Sequence, residues 1–441
     1  MKKLISVLLV ILCLCPIVTL CGCKGNKADV YFLNFKPESA EAYKKIAAAY
    51  EEETGVKVKV VTAAANTYEQ TLKSEIAKSE PPTIFQINGP VGFQGWQSYC
   101  ADLSTTEFAS LLSDSSLAVR KDGMIYGVPY VVEAYGIIYN DAIMRKYFAL
   151  PNKKVNISSA NEINSFDTLK SVVEDMTANK ASLGIEGVFA STSLASGEDW
   201  RWQTHLANMA FFHEFRDKEN PVDTLLNADT VEFKYAEHYK NLFDLYLNNS
   251  VTERTLLGSK SVADSMAEFA LGKCAMVQNG TWAWSQIASV SGNTVKEEDI
   301  KMLPLYTGAP NEENIGLCIG TENYLCINSR VPADKQKASL DFLYWLFTSE
   351  NGKRFVTEEL GFTTPFTSLS DAQVTDPLAK EVQRYLSDKD KENVPWVFTG
   401  FPGENFKKGF GDALLEYAQG GIDFDTLKTR VADKWKSERS K

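Results

Sequence analysis

Histidine is scarce in this chain, with three among 441 residues, and its placement argues against metal chemistry. His213-Glu214 opens like the H-E-x-x-H zinc motif, but Asp217 stands where the second histidine is needed. His205 and His213 lie near helical phase, a spacing that packing residues on one helix face share with metal ligands. No G-x-x-x-x-G-K-[ST] or G-x-G-x-x-G occurs, so no phosphate-cradling loop is signalled, and no G-x-S-x-G elbow offers a nucleophile. No basic run offsets the formal charge of −11, which repels nucleic acid and anionic lipid and excludes a nucleic-acid partner. Four of the eight cysteines fall in the first 23 residues; the rest, Cys100, Cys274, Cys318 and Cys326, form no C-x-x-C and no disulfide scaffold. Carboxylates are plentiful, and a glycosidase needs only two at the right spacing, but no motif marks such a pair.

Long apolar runs are missing everywhere except at the start. Lys2 and Lys3 precede an apolar stretch over 4–20, followed by Leu20-Cys21-Gly22-Cys23. An aliphatic residue at −3, a small one at −1 and a Cys at +1 form a lipobox, so residues 1–22 read as a signal peptide and Cys23 as the lipidated residue. The expected address is extracytoplasmic, anchored to the cell membrane through lipid on Cys23, where several acyl chains make anchoring durable. Removing residues 1–22 takes away two lysines and moves the charge from −11 to −13. Residues 23–29 read as a short polar tether.

Regular structure is predicted to start at once. Residues 30–35 form a buried-strand run. Tyr43, Ile46, Ala47 and Tyr50 mark a helix over 40–54 that Gly55 ends, and 56–62 alternates like a half-buried strand. A helical stretch over 66–79 and a strand at 83–88 complete a strand–helix–strand–helix–strand pattern, hence an α/β fold with parallel pairing. Ligands of such sheets sit beyond the carboxyl ends of the strands, here the turn Asn34-Phe35-Lys36-Pro37-Glu38 and Asn88-Gly89-Pro90. Residues 166–290 are mostly helical, 301–327 is strand-rich, and helices dominate the end. Tryptophans interrupt polar, turn-like segments at Trp200-Arg201-Trp202, Trp282-Ala283-Trp284 and Trp396. Rings beside carboxylates and amides suit sugars, which offer C–H faces and hydroxyl rims; core packing is the other reading of any one of them.

Residues 268–285, with Gly272-Lys273, Ala275-Met276, Gly280 and Trp282, resemble the G-K-x-A-M-x-x-x-G-x-W signature of bacterial extracellular solute-binding lipoproteins of carbohydrate ABC transporters, the family 1 type that includes maltodextrin-binding protein. Residues 50–58, Gly127-Val128-Pro129, Glu133, Ile138-Tyr139-Asn140, Leu303-Pro304 and the stretch 418–435 fall in the family's order, so the resemblance spans nearly all of 30–437. It implies a two-lobed periplasmic-binding-protein-like fold, each lobe a mixed or parallel sheet flanked by helices, with a hinge between them. Lobe one is expected over 30–132 plus 299–345, and lobe two over 133–298 plus 346–441. The implied function is capture of a sugar or oligosaccharide between the lobes by a monomer, and its delivery to the ABC transporter permease, without catalysis, cofactor or metal. Carried over by position, Lys36, Glu38, Asn88 and Glu133 become ligand contacts, Trp282 the stacking ring, and Trp200 and Trp202 an aromatic loop. One departure concerns Lys408, which stands where a further stacking tryptophan is expected, so Trp396, Phe398 or Phe401 would supply the ring. Rival implications are a non-sugar solute such as a polyamine, a surface glycosidase, or a sensory or adhesive receptor.

Overall fold

The computed structural model describes residues 28–64 and 67–440. The expected signal peptide, Cys23 and most of the expected tether lie outside the described residues. In chain order the strands are β1 (Val30–Asn34), β2 (Val58–Thr62), β3 (Ile84–Asn88), β4 (Val119–Lys121), β5 (Met124–Pro129), β6 (Glu133–Asn140), β7 (Met276–Gly280), β8 (Ile300–Leu303), β9 (Ile315–Gly320), β10 (Asn323–Ile327) and β11 (Glu392–Pro395).

They form two sheets. The first runs β2-β1-β3-β10-β5-β4, the second β11-β9-β6-β7 with β8 also on β6. β1 pairs in parallel with β2 and β3, as the crossover pattern requires, while β10 enters antiparallel between β3 and β5. The helix Ala40–Thr54 buries Tyr43, Ile46, Ala47 and Tyr50 and ends at left-handed Gly55, φ 73°. A residue with no Cβ takes that conformation without strain. Each sheet is covered on both faces by apolar side chains, giving each lobe its own core.

The chain passes between the sheets three times, at 130–132, at 321–322 and between Leu369 and the helix Pro377–Ser387. These crossings correct the expected lobe boundaries. β8 and β9 pair antiparallel with β6 and so belong to the second sheet, not to lobe one. Conversely Phe347, Phe355, Val356, Phe362, Phe366 and Leu369 pack into the core under β1, so the chain stays in lobe one well past 345. Strand character was readable at 301–327, but which sheet a strand joins depends on distant partners.

β6 is the spine of lobe two, and Gly136 lies where its neighbours crowd in. A Cβ there would come within 2.3 Å of the Leu303 carbonyl oxygen, which is backbone and cannot turn aside. Gly136→Ala is expected to destabilise the protein by about 3 kcal/mol through overpacking, read as a lower denaturation midpoint at unchanged slope.

Among the described residues no helix is long and apolar enough to cross a membrane, and no group of three or more His, Cys, Asp or Glu is disposed to hold a metal ion. Cys100, Cys274, Cys318 and Cys326 are buried free thiols.

Candidate functional site

The turn after β1 is tied down from within. Asn34 Nδ2 donates to the Lys36 carbonyl at 2.8 Å, and the Lys36 N–H donates back to Asn34 Oδ1 at 3.1 Å. Phe35 N–H is held by Gln86 of β3, whose amide also donates to the Tyr130 hydroxyl. Fixed in this way, Lys36 reaches across to the second lobe. Its Nζ lies 2.7 Å from Glu133 Oε1 at the start of β6, and 3.6 Å from Glu38. Lys36 is 4% exposed. Burial pulls its ammonium pKa down, but Glu133, then Glu38, more than offset this, and Lys36 stays charged. Burial pushes the Glu38 carboxyl up, against the pull of Lys36.

Facing this turn is an aromatic platform at the ends of β7, β6 and β9. After β7 the chain folds so that the Trp282 ring lies flat on Gly280, where a Cβ would meet the ring at 2.2 Å. Trp396 lies on Gly320 at the end of β9 in the same manner, with a Cβ distance of 2.6 Å. Only glycine admits either ring. Tyr135 of β6, between them, stacks on His205 at 4.1 Å and 12°. Trp282 is half-buried and is flanked by Trp200 at 5.7 Å, His205 at 5.6 Å and Trp396 at 6.4 Å. The Lys36 ammonium sits 5.9 Å above the Trp282 ring, joining the polar turn to the platform. Burial, reinforced by Arg201, depresses His205 well below the usual histidine range, so the ring is neutral.

Trp200 and Trp202 part company. They flank the start of a wide turn of π-helix, Arg201–Leu206, and helical residues two apart do not share a face. Trp200 turns to Trp282. Trp202 is 1% exposed and packs against Phe243 and Tyr246. Trp202 is thus a core residue, which corrects its expected place among the ligand contacts. Of the rings proposed to replace the one missing at 408, Phe401 is core, against Phe211 and Trp435, and Trp396 and Phe398 are buried in the same core, where they adjoin His205.

Asp199 precedes this turn, pressed against Gly411 of the helix Glu404–Ala418. Burial pushes its carboxyl up to about 6. The folded protein therefore holds this proton more tightly than the unfolded chain, whose aspartates titrate near ~3.9. The resulting stabilisation is present below the unfolded value and lost as pH rises through about 6. Against Asp199→Asn, the wild type should lose about 2–3 kcal/mol of relative stability from acid to neutral pH, seen as a diverging pair of Tm curves.

Asn88 ends β3 half-buried, and its side chain caps nothing on the helix that follows. Beside it Gly89 meets Thr399 of the other lobe, where a Cβ would lie 3.3 Å from that of Thr399. Two charged residues went unforeseen in the sequence. Lys408 is 66% exposed and pairs outward with Asp412, but its neighbour Lys407 is 13% exposed, 3.0 Å from Glu404. Burial lowers the Lys407 ammonium pKa, and the fields of Glu404 and Glu322 raise it further than that. Glu322, in the second crossing, is pushed up by burial. A Glu404–Lys407 pair at i,i+3 reads like any surface pair, so the sequence carried no signal for it. Beside the Lys36 turn a cavity of about 60 Å³ is lined by Glu38, Glu133, Thr281, Trp282 and Phe362, too small for a sugar ring. A larger open groove of about 570 Å³, along 353–358 and 367–375, lies on lobe one and has no aromatic ring.

Two lobes joined by three crossings, with a polar turn facing an aromatic platform across the junction, define a binding protein that encloses a solute. The chain belongs to the bacterial extracellular solute-binding proteins, whose family profile matches residues 45–385. Its structure is similar to that of the solute-binding protein RafE in complex with raffinose, at 18% identity and TM-score 0.70, over 93% of this chain and 99% of that one. A chitin oligosaccharide binding protein gives 17% identity and TM-score 0.71, over 93% and 99%. A sugar transporter from Bacillus licheniformis in complex with stachyose gives 15% and 0.68, over 92% and 100%. At such identities the likeness establishes the fold. No curated protein matches the chain in sequence.

Proposed function

We propose that this protein captures a sugar or oligosaccharide between its lobes and presents it to an ABC transporter permease for import, with no chemistry on the ligand. The carrying observation is the platform of the half-buried Trp282 and Trp200, backed by the buried Trp396, opposite the Lys36–Glu38 turn. Rings take the C–H faces of a saccharide while Lys36, Glu38, Asn88 and Glu133 take its hydroxyls. The similar structures solved with raffinose and stachyose support this reading. So does the poor fit of its rivals. The carboxylates a polyamine would seek are already bridged by Lys36, and the same lysine ties up Glu38 and Glu133 as a glycosidase pair. Lobe closure follows from contacts that the ligand makes only in the closed state.

The protein acts as a monomer, held near the permease by lipid on Cys23, which raises its effective concentration there. Calorimetric titration against a broad glycan panel, with small-angle scattering for compaction, tests the reading. Binding accompanied by compaction is expected. If every glycan fails and spermidine binds, the solute is not a sugar. Replacing Cys23 should leave affinity intact and impair uptake.

A further inference from the structure

Arg201 opens the π-helical turn and is 2% exposed. Its Nε, Nη1 and Nη2 are all shielded from solvent and have no hydrogen-bond partner among the described residues. The guanidinium centre stacks 3.9 Å from the Trp200 ring, which in turn flanks Trp282. Stacking orients the fork but does not neutralise it. Lys36 and Lys407 each hold a carboxylate within 4 Å, whereas Arg201 has none that close among the described residues. Glu198, one of whose oxygens accepts from the Val262 N–H, acts on Arg201 only through its field, which offsets part of the burial cost. Burial lowers the Arg201 pKa to about 9, which leaves it charged at neutral pH. A buried, unpaired guanidinium is strongly unfavourable, so the fold keeps it only if something pairs with it.

The surroundings narrow the partner. Trp282 Nε1 and Trp396 Nε1 are likewise buried donors without acceptors. Gln278 donates to the Arg201 carbonyl and keeps its own Oε1 unpaired. Donors are in excess. A hydroxyl accepts weakly and carries no charge, whereas a carboxylate is acceptor-only and takes two parallel N–H bonds from an arginine fork.

We propose that Arg201 binds a carboxylate on the ligand, so that the saccharide held against Trp200 and Trp282 contains a uronic acid. This rests on the oligosaccharide reading above and specifies its chemical class. The Lys36–Glu38–Glu133 group serves the neutral hydroxyls, and Arg201 serves the acid.

The test is calorimetric titration of the full chain, as wild type and Arg201→Met, with disaccharides of galacturonate, glucuronate and mannuronate and with their neutral counterparts. The wild type should prefer an acidic disaccharide. Arg201→Met should lose about 100-fold in affinity for it, the size expected when one partner of a buried charge pair is truncated, with little change for neutral sugars. Arg201→Lys should restore part of the loss. If neutral sugars bind as well as or better than acidic ones, the carboxylate proposal falls while the carbohydrate reading stands. If Arg201→Met weakens acidic and neutral ligands equally, Arg201 is structural and the proposal again falls. If no saccharide of either kind binds, both readings fall together.

Discussion

Alanine in place of Trp282 is expected to weaken saccharide binding by about 100-fold, or roughly 3 kcal/mol, while the fold survives. The ring is half-buried and lies over the bare backbone of Gly280, with Trp200 and Trp396 at its sides and the Lys36 ammonium above. A stacked sugar would cover its remaining free surface, and an aromatic side chain contributes a large contact area at little conformational expense. Removing the ring takes away that contact and bares Gly280, but Trp282 only borders the core of lobe two and is not inside it. The loss should therefore appear in calorimetric affinity much more than in Tm. Trp202→Ala should do the reverse, because that ring lies wholly in the core and large-to-small changes there cost ~3–5 kcal/mol. Equal affinity for Trp282→Ala and wild type would remove Trp282 from the binding site.

Lys36→Met should open and destabilise the molecule. The Lys36–Glu133 bond at 2.7 Å joins the turn after β1 to the first residue of β6, one lobe to the other, with both side chains buried. Without the ammonium, Glu133 and Glu38 face each other across a dry junction. Breaking one side of a buried ion pair costs about 3–5 kcal/mol, mostly the penalty of the stranded charge. The variant should melt several degrees lower and show a larger radius of gyration in solution. Lys36→Met combined with Glu133→Gln should recover much of the lost stability, since the stranded carboxylate is gone. A single variant as stable and compact as wild type would show that the pair does not hold the lobes together.

The sequence made the first lobe legible because its signals are local. A helical stripe ended by glycine, two strands and their carboxyl-end turns placed Lys36 and Asn88 at the ends of β1 and β3, where the structure has them. Trp282 was legible through the motif around it. What escaped depends on helical phase or distant pairing. Trp200 and Trp202 look alike in sequence, but the two-residue step between them, about half a turn, sends one toward Trp282 and the other into the core. Lys407 and Lys408 are parted by a single residue's rotation. Arg201 was visible between two tryptophans, yet nothing local showed that its guanidinium would be left without an acceptor. β8 and β9 could not be assigned to a sheet until β6 was seen between β7 and β9 with β8 on it.

The three crossings have a mechanical consequence. A single peptide link between two bodies is a swivel, free to twist as well as bend. Three links, the first stitched to lobe one where the Val132 N–H donates to the Thr363 carbonyl at 2.7 Å, are expected to behave like a door on several pins. Bending about their common line stays soft while twist is resisted. Each swing must then return the Lys36 turn to the same place over Trp282, so alignment is built into the frame rather than found anew at each capture.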